Sequence, residues 1–309
     1  MAEKVLVTGG AGFIGSHLAE AYIQAGYNVV IVDNLSTGRE ANLVTKACFY
    51  KLDVRDPLIA RVFQEERPDY VSHHAALASV RLSVEDPLRD AETNVLGSIN
   101  VLENCVKAGV KKVVYSSSGG VVYGNPDSPP TDETSPIRPL CPYGVSKYAT
   151  EMYLYYYRHE YGLNYTALRY PNIYGPRQDP QGEAGVIAIF GQRMLRGQPV
   201  SIFGTGEQER DYLYVEDVAR ANVLALKAGD GQAYNLGWGR GVSVNEIFQR
   251  LKEITRYPLD VQYQPARKGE VSRNYLSAAK AERELGWQPQ VGLEEGLRRT
   301  VDYLRTQNS

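Results

Sequence analysis

The chain is poor in cysteine. Cys48, Cys105 and Cys141 are its only three in 309 residues, too few and too scattered for a disulfide framework or a zinc site. That usage fits a reducing compartment, so a cytoplasmic protein is expected. Charge of one sign is also lacking: 34 Lys and Arg stand against 36 Asp and Glu, a net charge of −2, which argues against a nucleic-acid partner. No apolar run is long enough to span a membrane, and the run behind Met1-Ala2-Glu3-Lys4 is too short for a secretory leader, so no membrane role is expected. No internal repeat or low-complexity tract stands out. What remains is an ordinary apolar content, 43%, enough for a sizeable core, and an unusual 23 tyrosines.

Along the first half, strand-like and helix-like segments alternate. Residues 4–8, 28–33, 48–53, 70–74, 113–116 and 164–169 read as strands, and 14–25, 61–66, 93–108 and 145–161 as helices. This rhythm predicts an α/β fold with a doubly wound parallel sheet, the strand C-termini gathered on one edge. After Arg169 the pattern breaks into short segments with Gly-rich turns at Gly204–Gly206 and Gly237–Gly241, which predicts a smaller, partly interleaved lobe.

Straight after the first strand comes Thr8-Gly9-Gly10-Ala11-Gly12-Phe13-Ile14-Gly15. Gly10, Gly12 and Gly15 fit G-x-G-x-x-G, and Gly9, Gly12 and Gly15 a three-residue spacing. Glycine permits positive φ and close approach of backbone to a pyrophosphate, and a helix starting near Phe13 and Ile14 offers it free N–H groups. Such a turn also occurs with no ligand, but here the strand, the helix and a downstream acid are all in place. That acid, Asp33, suits the adenosine ribose hydroxyls and repels a 2′-phosphate, favouring NAD over NADP; nearby Arg39 argues the other way, with less weight. Asn34, Ser36, Thr37 and Gly38 form a polar loop beside the same ribose. Asp53 and Val54 end strand three towards the adenine, and the small Ala75, Ala76 and Ala78 follow strand four, where backbone can pass the ribose and phosphates.

Cys141-Pro142-Tyr143-Gly144-Val145-Ser146-Lys147 places a phenol and an ammonium at i and i+4 on one helical face, with Pro142 suited to a first helical position. A phenol with a pKa of about 10 is no base at neutral pH unless positive charge stands beside it; Lys147 and a nicotinamide ring both supply that. By itself a Tyr-x-x-x-Lys is common by chance; coupled to the glycine turn it is strong. Ser116-Ser117-Ser118 ends strand five at the ligand-binding edge, where one hydroxyl can relay a proton. The paired His73-His74 point to opposite faces of a strand, which disfavours a metal.

TGGAGFIG, DNLSTG, the SSS…VYG loop, YGVSK and Arg169-Tyr170-Pro171-Asn172-Ile173-Tyr174-Gly175 together resemble the extended short-chain dehydrogenase/reductase family over nearly the whole chain. The nearest branch is the 4-epimerases of UDP-glucose and UDP-galactose. The resemblance implies a Rossmann domain over residues 1–169 and about 211–237, with tightly held NAD, and a nucleotide-sugar lobe over about 170–210 and 238–309. Tyr143 and Lys147 become the acid/base pair and touch cofactor as well, as does Tyr170. Ser118 becomes the assisting hydroxyl, with Ser117 the fallback: the branch commonly places three residues before the Tyr-Gly, and here four separate Ser118 from Tyr123.

For the UDP-sugar the resemblance implies contacts from Ser118, Tyr143 and Asn172. It implies a uracil pocket from Gly185, Val186, Val200, Ser201 and Phe203, with Phe203 stacking. Arg210 and Arg267 become diphosphate ligands, for which guanidinium forks are suited. Glu270 stands where the family usually has Asp at a ribose, and Asn274 at a gate that is a bulky Tyr in some relatives, leaving room for an N-acetyl group.

The implied activity is NAD-dependent inversion at C4 of a UDP-hexose through a transient 4-keto sugar. Relatives that dehydrate at C4 and C6 carry Asp-Glu where this chain has Gly119-Gly120, so elimination is disfavoured. Epimerisation or decarboxylation of UDP-glucuronate, and a non-catalytic NAD-binding regulator, stay open. The tyrosine-rich run 153–157 suits a core or a homodimer contact through a bundle with the 93–108 helix, usual in the family.

Overall fold

A computed structural model describes residues 2–181, 185–266 and 271–307. In chain order its elements are β1 (Lys4–Thr8), α1 (Phe13–Gln24), β2 (Asn28–Asp33), β3 (Cys48–Lys51), α2 (Ile59–Glu66), β4 (Tyr70–His73), α3 (Val80–Glu85), α4 (Pro87–Ala91), α5 (Gly97–Ala108), β5 (Lys112–Ser118), α6 (Pro142–Tyr161), β6 (Asn164–Tyr170) and β7 (Asn172–Tyr174). There follow α7 (Val186–Leu195), β8 (Ser201–Phe203), β9 (Glu209–Arg210), β10 (Tyr212–Tyr214), α8 (Val215–Ala225), β11 (Gln232–Asn235), β12 (Val242–Ser243), α9 (Val244–Thr255), β13 (Gln262–Gln264), β14 (Arg273–Asn274), α10 (Ala279–Leu285) and α11 (Leu293–Gln307).

Seven strands form one parallel sheet in the order β11-β6-β5-β4-β1-β2-β3. The order reverses between β1 and β4, which opens a crevice at their C-terminal ends. Side-chain alternation divides the core. Val5, Val7, Val29 and Ile31 pack with residues of α1 and α8 on one face; Leu6, Val30 and Val32 pack with residues of α2, α5 and α6 on the other. The expected doubly wound sheet is therefore present. The short strands β7–β10 and β12–β14 make three small sheets, and Ile187, Phe190, Phe248, Leu251, Leu297 and Val301 fill a separate core between α7, α9 and α11.

Several local expectations differ from what forms: β5 runs on to Ser118, and α6 starts at Pro142 rather than at 145. The helix expected over 93–108 is an α-helix only from Gly97; residues Glu92–Leu96 wind as a π-turn, and α3 and α4 precede it unannounced. Val80, Val84, Leu88 and Leu96 are exposed there, so their spacing carried no core-facing stripe. The third strand stops at Lys51 because Asp53 turns back to bind Arg55 and Asn34. In the tyrosine run, Leu154 and Tyr157 face inward while Tyr153, Tyr155 and Tyr156 are exposed.

Candidate active site

The glycine turn is tight. Gly9 has φ +72°, and a Cβ there would lie 2.8 Å from Ala75 N; a Cβ on Gly15 would lie 2.1 Å from Gly9 O. Gly12 N–H donates to Gly9 O at 3.1 Å. No side chain caps α1 at Gly12 and its first turn carries no acid, so the amides at Phe13, Ile14 and Gly15 meet the crevice as an anion-ready helix end. Asp33, nearly buried, joins the walls: its carboxylate accepts from Ala11 N at 3.0 Å and Leu35 N at 2.8 Å. A Cβ on Gly38 would come within 2.8 Å of that carboxylate. This cradle admits backbone and excludes side chains, which fits a dinucleotide.

The neighbouring residues are less uniform. Asn34 donates to Asp53 at 2.8 Å and accepts from Ser36 N at 2.9 Å, and Arg55 holds the Asp53 carboxyl well below its usual range. Asp53 is thus spent on fixing the Asn34–Gly38 loop, and Thr37 at its tip is exposed. The Val54 side chain is buried in the core, and its carbonyl accepts from Asn100 at 2.8 Å. Arg39 pairs with Asp179 at 2.6 Å. Ala75 and Ala76 line the end of β4, half-buried, and Ala78 is exposed. Tyr170 is buried, its hydroxyl 2.9 Å from His74 Nε2 and accepting from Asn222 at 2.8 Å.

Pro142 opens α6 behind Cys141, and Tyr143 and Lys147 follow on one face. Lys147 is 3% exposed; Nζ donates to Ser116 O at 2.7 Å and stands 5.0 Å from the Tyr115 ring centroid and 5.7 Å from that of Tyr143. Burial brings Lys147 down to about 8, against the opposing pull of Asp90 and Glu151. Burial, with the Asp90 carboxyl and Cys141, pushes the Tyr143 phenol above its ordinary value. His73 and His74 are driven down to about 3 by burial and by Lys147, so they stay neutral. Among the described residues no group of three or more metal-capable side chains converges.

The serines separate by strand alternation. Ser116 donates to His73 O at 3.2 Å; Ser117, on the other face, donates to Glu151 at 2.5 Å; Ser118 is half-buried where β5 meets its loop. Glu151 also forms a buried pair with Arg169 at 2.6 Å, and Arg169 donates to Tyr123 OH at 2.7 Å. Sequence reasoning missed Glu151, although it stands four residues beyond Lys147 on the same face. It also missed Asp90, on α4, and Asn94, in the π-turn: Asn94 donates to Asp90 at 2.8 Å and to Ser146 at 3.2 Å.

In the smaller lobe, Asn172 N–H donates to Asp211 O at 3.0 Å. Gly185 caps α7 and Val186 starts it; Val200 is buried beside β8, which carries Ser201 and Phe203. Arg210 pairs in register with Asn274, whose buried side chain donates to Gly120 O at 3.0 Å. Arg267 and Glu270 lie outside the described residues.

Comparison with known proteins agrees with this geometry. The family model of the NAD dependent epimerase/dehydratase family matches residues 5–237. A Mycolicibacterium smegmatis UDP-glucose 4-epimerase is 43% identical over 99% of both chains. The solved Thermotoga maritima UDP-glucose 4-epimerase with UDP-glucose is 54% identical with TM-score 0.98, covering 99% of this chain and 100% of that one. The Thermus thermophilus UDP-glucose 4-epimerase complex with NAD is 47% identical with TM-score 0.93, covering 98% and 99%. The chain belongs to the NAD dependent epimerase/dehydratase family.

Proposed function

We propose that the chain interconverts UDP-galactose and UDP-glucose by inverting C4, with NAD as resident cofactor. The observation that carries this is the buried Lys147 ammonium, fixed by Ser116 O beside the Tyr143 ring at the same sheet edge as the glycine cradle. NAD, when bound, supplies the reversible hydride acceptor and a positive ring. Gly9, Gly12 and Gly15 with the first amides of α1 take the pyrophosphate, and Asp33 with the Asn34–Gly38 loop takes the adenosine ribose. Tyr143 removes and returns the proton of the sugar 4-hydroxyl, Lys147 favours its phenolate, and Ser118 hydrogen-bonds the same oxygen. Ser117, engaged by Glu151, is the weaker candidate.

Arg210, with Arg267, holds the diphosphate while the sugar turns, and Val200, Ser201 and Phe203 with the start of α7 take the uracil. The seven-stranded sheet is read as the NAD lobe and the small sheets around β8, β9 and β14 as the UDP-sugar lobe. Asn274 is compact, which supports additional turnover of UDP-N-acetylgalactosamine. Exposed Met152, Tyr153, Tyr155 and Tyr156 on α6 support a homodimer, and three unpaired cysteines support a cytoplasmic location.

The test adds UDP-galactose to purified protein without NAD and follows the anomeric protons by NMR. A UDP-glucose mixture is expected. No conversion, even with NAD supplied, overturns the assignment; turnover of UDP-glucuronate alone would replace it.

A further inference from the structure

The loop behind β5 begins with two glycines, which have no side chains to hold it in place. Gly120 N–H donates to Tyr170 O of β6 at 3.2 Å, and the smaller lobe closes the loop from the other side. Gly119 does not have a positive φ, yet a Cβ there would lie 2.3 Å from Leu276 Cδ1 and 3.0 Å from Cδ2. Leu276 is fully buried and packs with Val122 and Tyr123 of the same loop. Two residues earlier, Asn274 Nδ2 donates to Gly120 O at 3.0 Å. The segment that carries both is itself anchored. Thr131 N donates to Tyr275 O at 2.9 Å, Ser277 N to Thr131 O at 2.8 Å, and Asp211 N to Asn274 O at 3.1 Å. Leu276 N donates to the Asp211 carboxylate at 3.3 Å. Asn274 is also the register partner of Arg210 across β14 and β9. One smaller-lobe residue therefore adjoins an arginine proposed for the diphosphate and, through its side chain, the residue two places beyond Ser118.

We propose that Asn274 and Leu276 are positioning residues for the Ser118 loop, a polar and a steric contact that set where the Ser118 hydroxyl stands and tie it to the strand carrying Arg210. This rests on the reading of Ser118 given above. The missing side chain at 119 is then a requirement of the clamp, because Leu276 occupies the space a side chain would need.

The test uses the NAD-loaded enzyme with Gly119→Ala, Leu276→Ala, their double variant and Asn274→Asp. The carboxylate at 274 keeps the size but cannot donate to Gly120 O. Gly119→Ala is expected to lower kcat roughly 10²-fold through displacement of the loop, with UDP affinity changed less than about twofold. Adding Leu276→Ala should bring kcat back to that of Leu276→Ala alone, which a merely destabilising substitution would not allow. Hydrogen exchange of the 118–123 amides should rise in Leu276→Ala and Asn274→Asp, a readout independent of turnover. Parental kcat in Gly119→Ala, no rescue in the double variant, or parental loop exchange in both clamp variants would overturn the proposal. Should Gly119→Ala not fold, the exchange measurement decides alone. Parental activity in Ser118→Ala would remove the serine's role while the exchange data still judge the clamp.

Discussion

Glu151 is a residue whose loss should cost this fold heavily. Its carboxylate is 4% exposed, pairs with Arg169 at 2.6 Å and accepts the Ser117 hydroxyl at 2.5 Å. Arg169 is 7% exposed and keeps a hydrogen bond to Tyr123 OH once the carboxylate is gone. Glu151→Ala therefore strands a guanidinium in the core, for which breaking a buried pair costs about 3–5 kcal/mol. The Ser117 hydroxyl, left without its acceptor, adds about 1 kcal/mol. Against a total stability of about 5–15 kcal/mol, that is a large fraction. Urea unfolding of the NAD-loaded protein, followed by circular dichroism, should place the midpoint far below the parent's. Glu151→Leu combined with Arg169→Met removes both charges and should recover most of the loss, since apolar replacement of a buried pair is often neutral or better. These residues touch, so the effects will not add. A Glu151→Ala loss under about 1 kcal/mol, or a double variant worse than the single one, would refute the stranded-charge argument.

Three shorter expectations follow from the same geometry. Ser118→Ala should lower kcat by about 10²-fold or more, while Ser117→Ala, whose hydroxyl is turned to Glu151, should stay within a few-fold of the parent; the reverse ranking returns the role to Ser117. Gly15→Ala puts a methyl 2.1 Å from Gly9 O and should yield protein without NAD; stoichiometric bound cofactor after purification would sink the cradle argument. Buried His73 is held down to about 3. A depressed histidine contributes full stability above its unfolded value near 6.5 and loses it as pH falls, because only the unfolded chain takes up the proton. The stability gap between parent and His73→Asn should thus shrink by about 1.4 kcal/mol per pH unit below 6.5; a gap that pH does not change in titrated unfolding curves would count against it.

What the sequence disclosed was whatever is written locally. An apolar run, a glycine turn and an acid 18 positions beyond Gly15 are neighbours in sequence and in the crevice, so β1, α1 and Asp33 were legible. Pro142 likewise signalled a helix start ahead of Tyr143, although the helical pattern itself was read only from 145. The rest depends on partners far along the chain. Strand alternation alone says that Ser117 and Ser118 face opposite ways; only Glu151 and Arg169, supplied by α6 and β6, say which side is core. The π-turn at Glu92–Leu96 has no composition signal of its own and is stabilised by Ser98 and Thr150, which both donate to Asn94 O. β9 and β14 are two residues each and exist as strands through pairing with each other across more than sixty residues, and of β9 with β12 across more than thirty, so no short window of sequence contains them.

The position of Lys147 shows what this long-range construction achieves. An ammonium in water needs no partners; one at 3% exposure must be compensated where it stands. Here the compensation is directional: a carbonyl at 2.7 Å and the faces of Tyr115 and Tyr143 fix the nitrogen, while Asp90 and Glu151 act at longer range. Burial still wins, lowering Lys147 and raising Tyr143, so the chain alone opposes ionising both members of the pair. Further positive charge beside the phenol would shift that balance towards phenolate, and on the proposed placement of NAD, with its pyrophosphate in the glycine cradle, the nicotinamide ring would supply it. Acid/base strength at Tyr143 and occupancy of the cradle are in this way one coupled property of the strand ends, which is why the two motifs are informative together and weak apart.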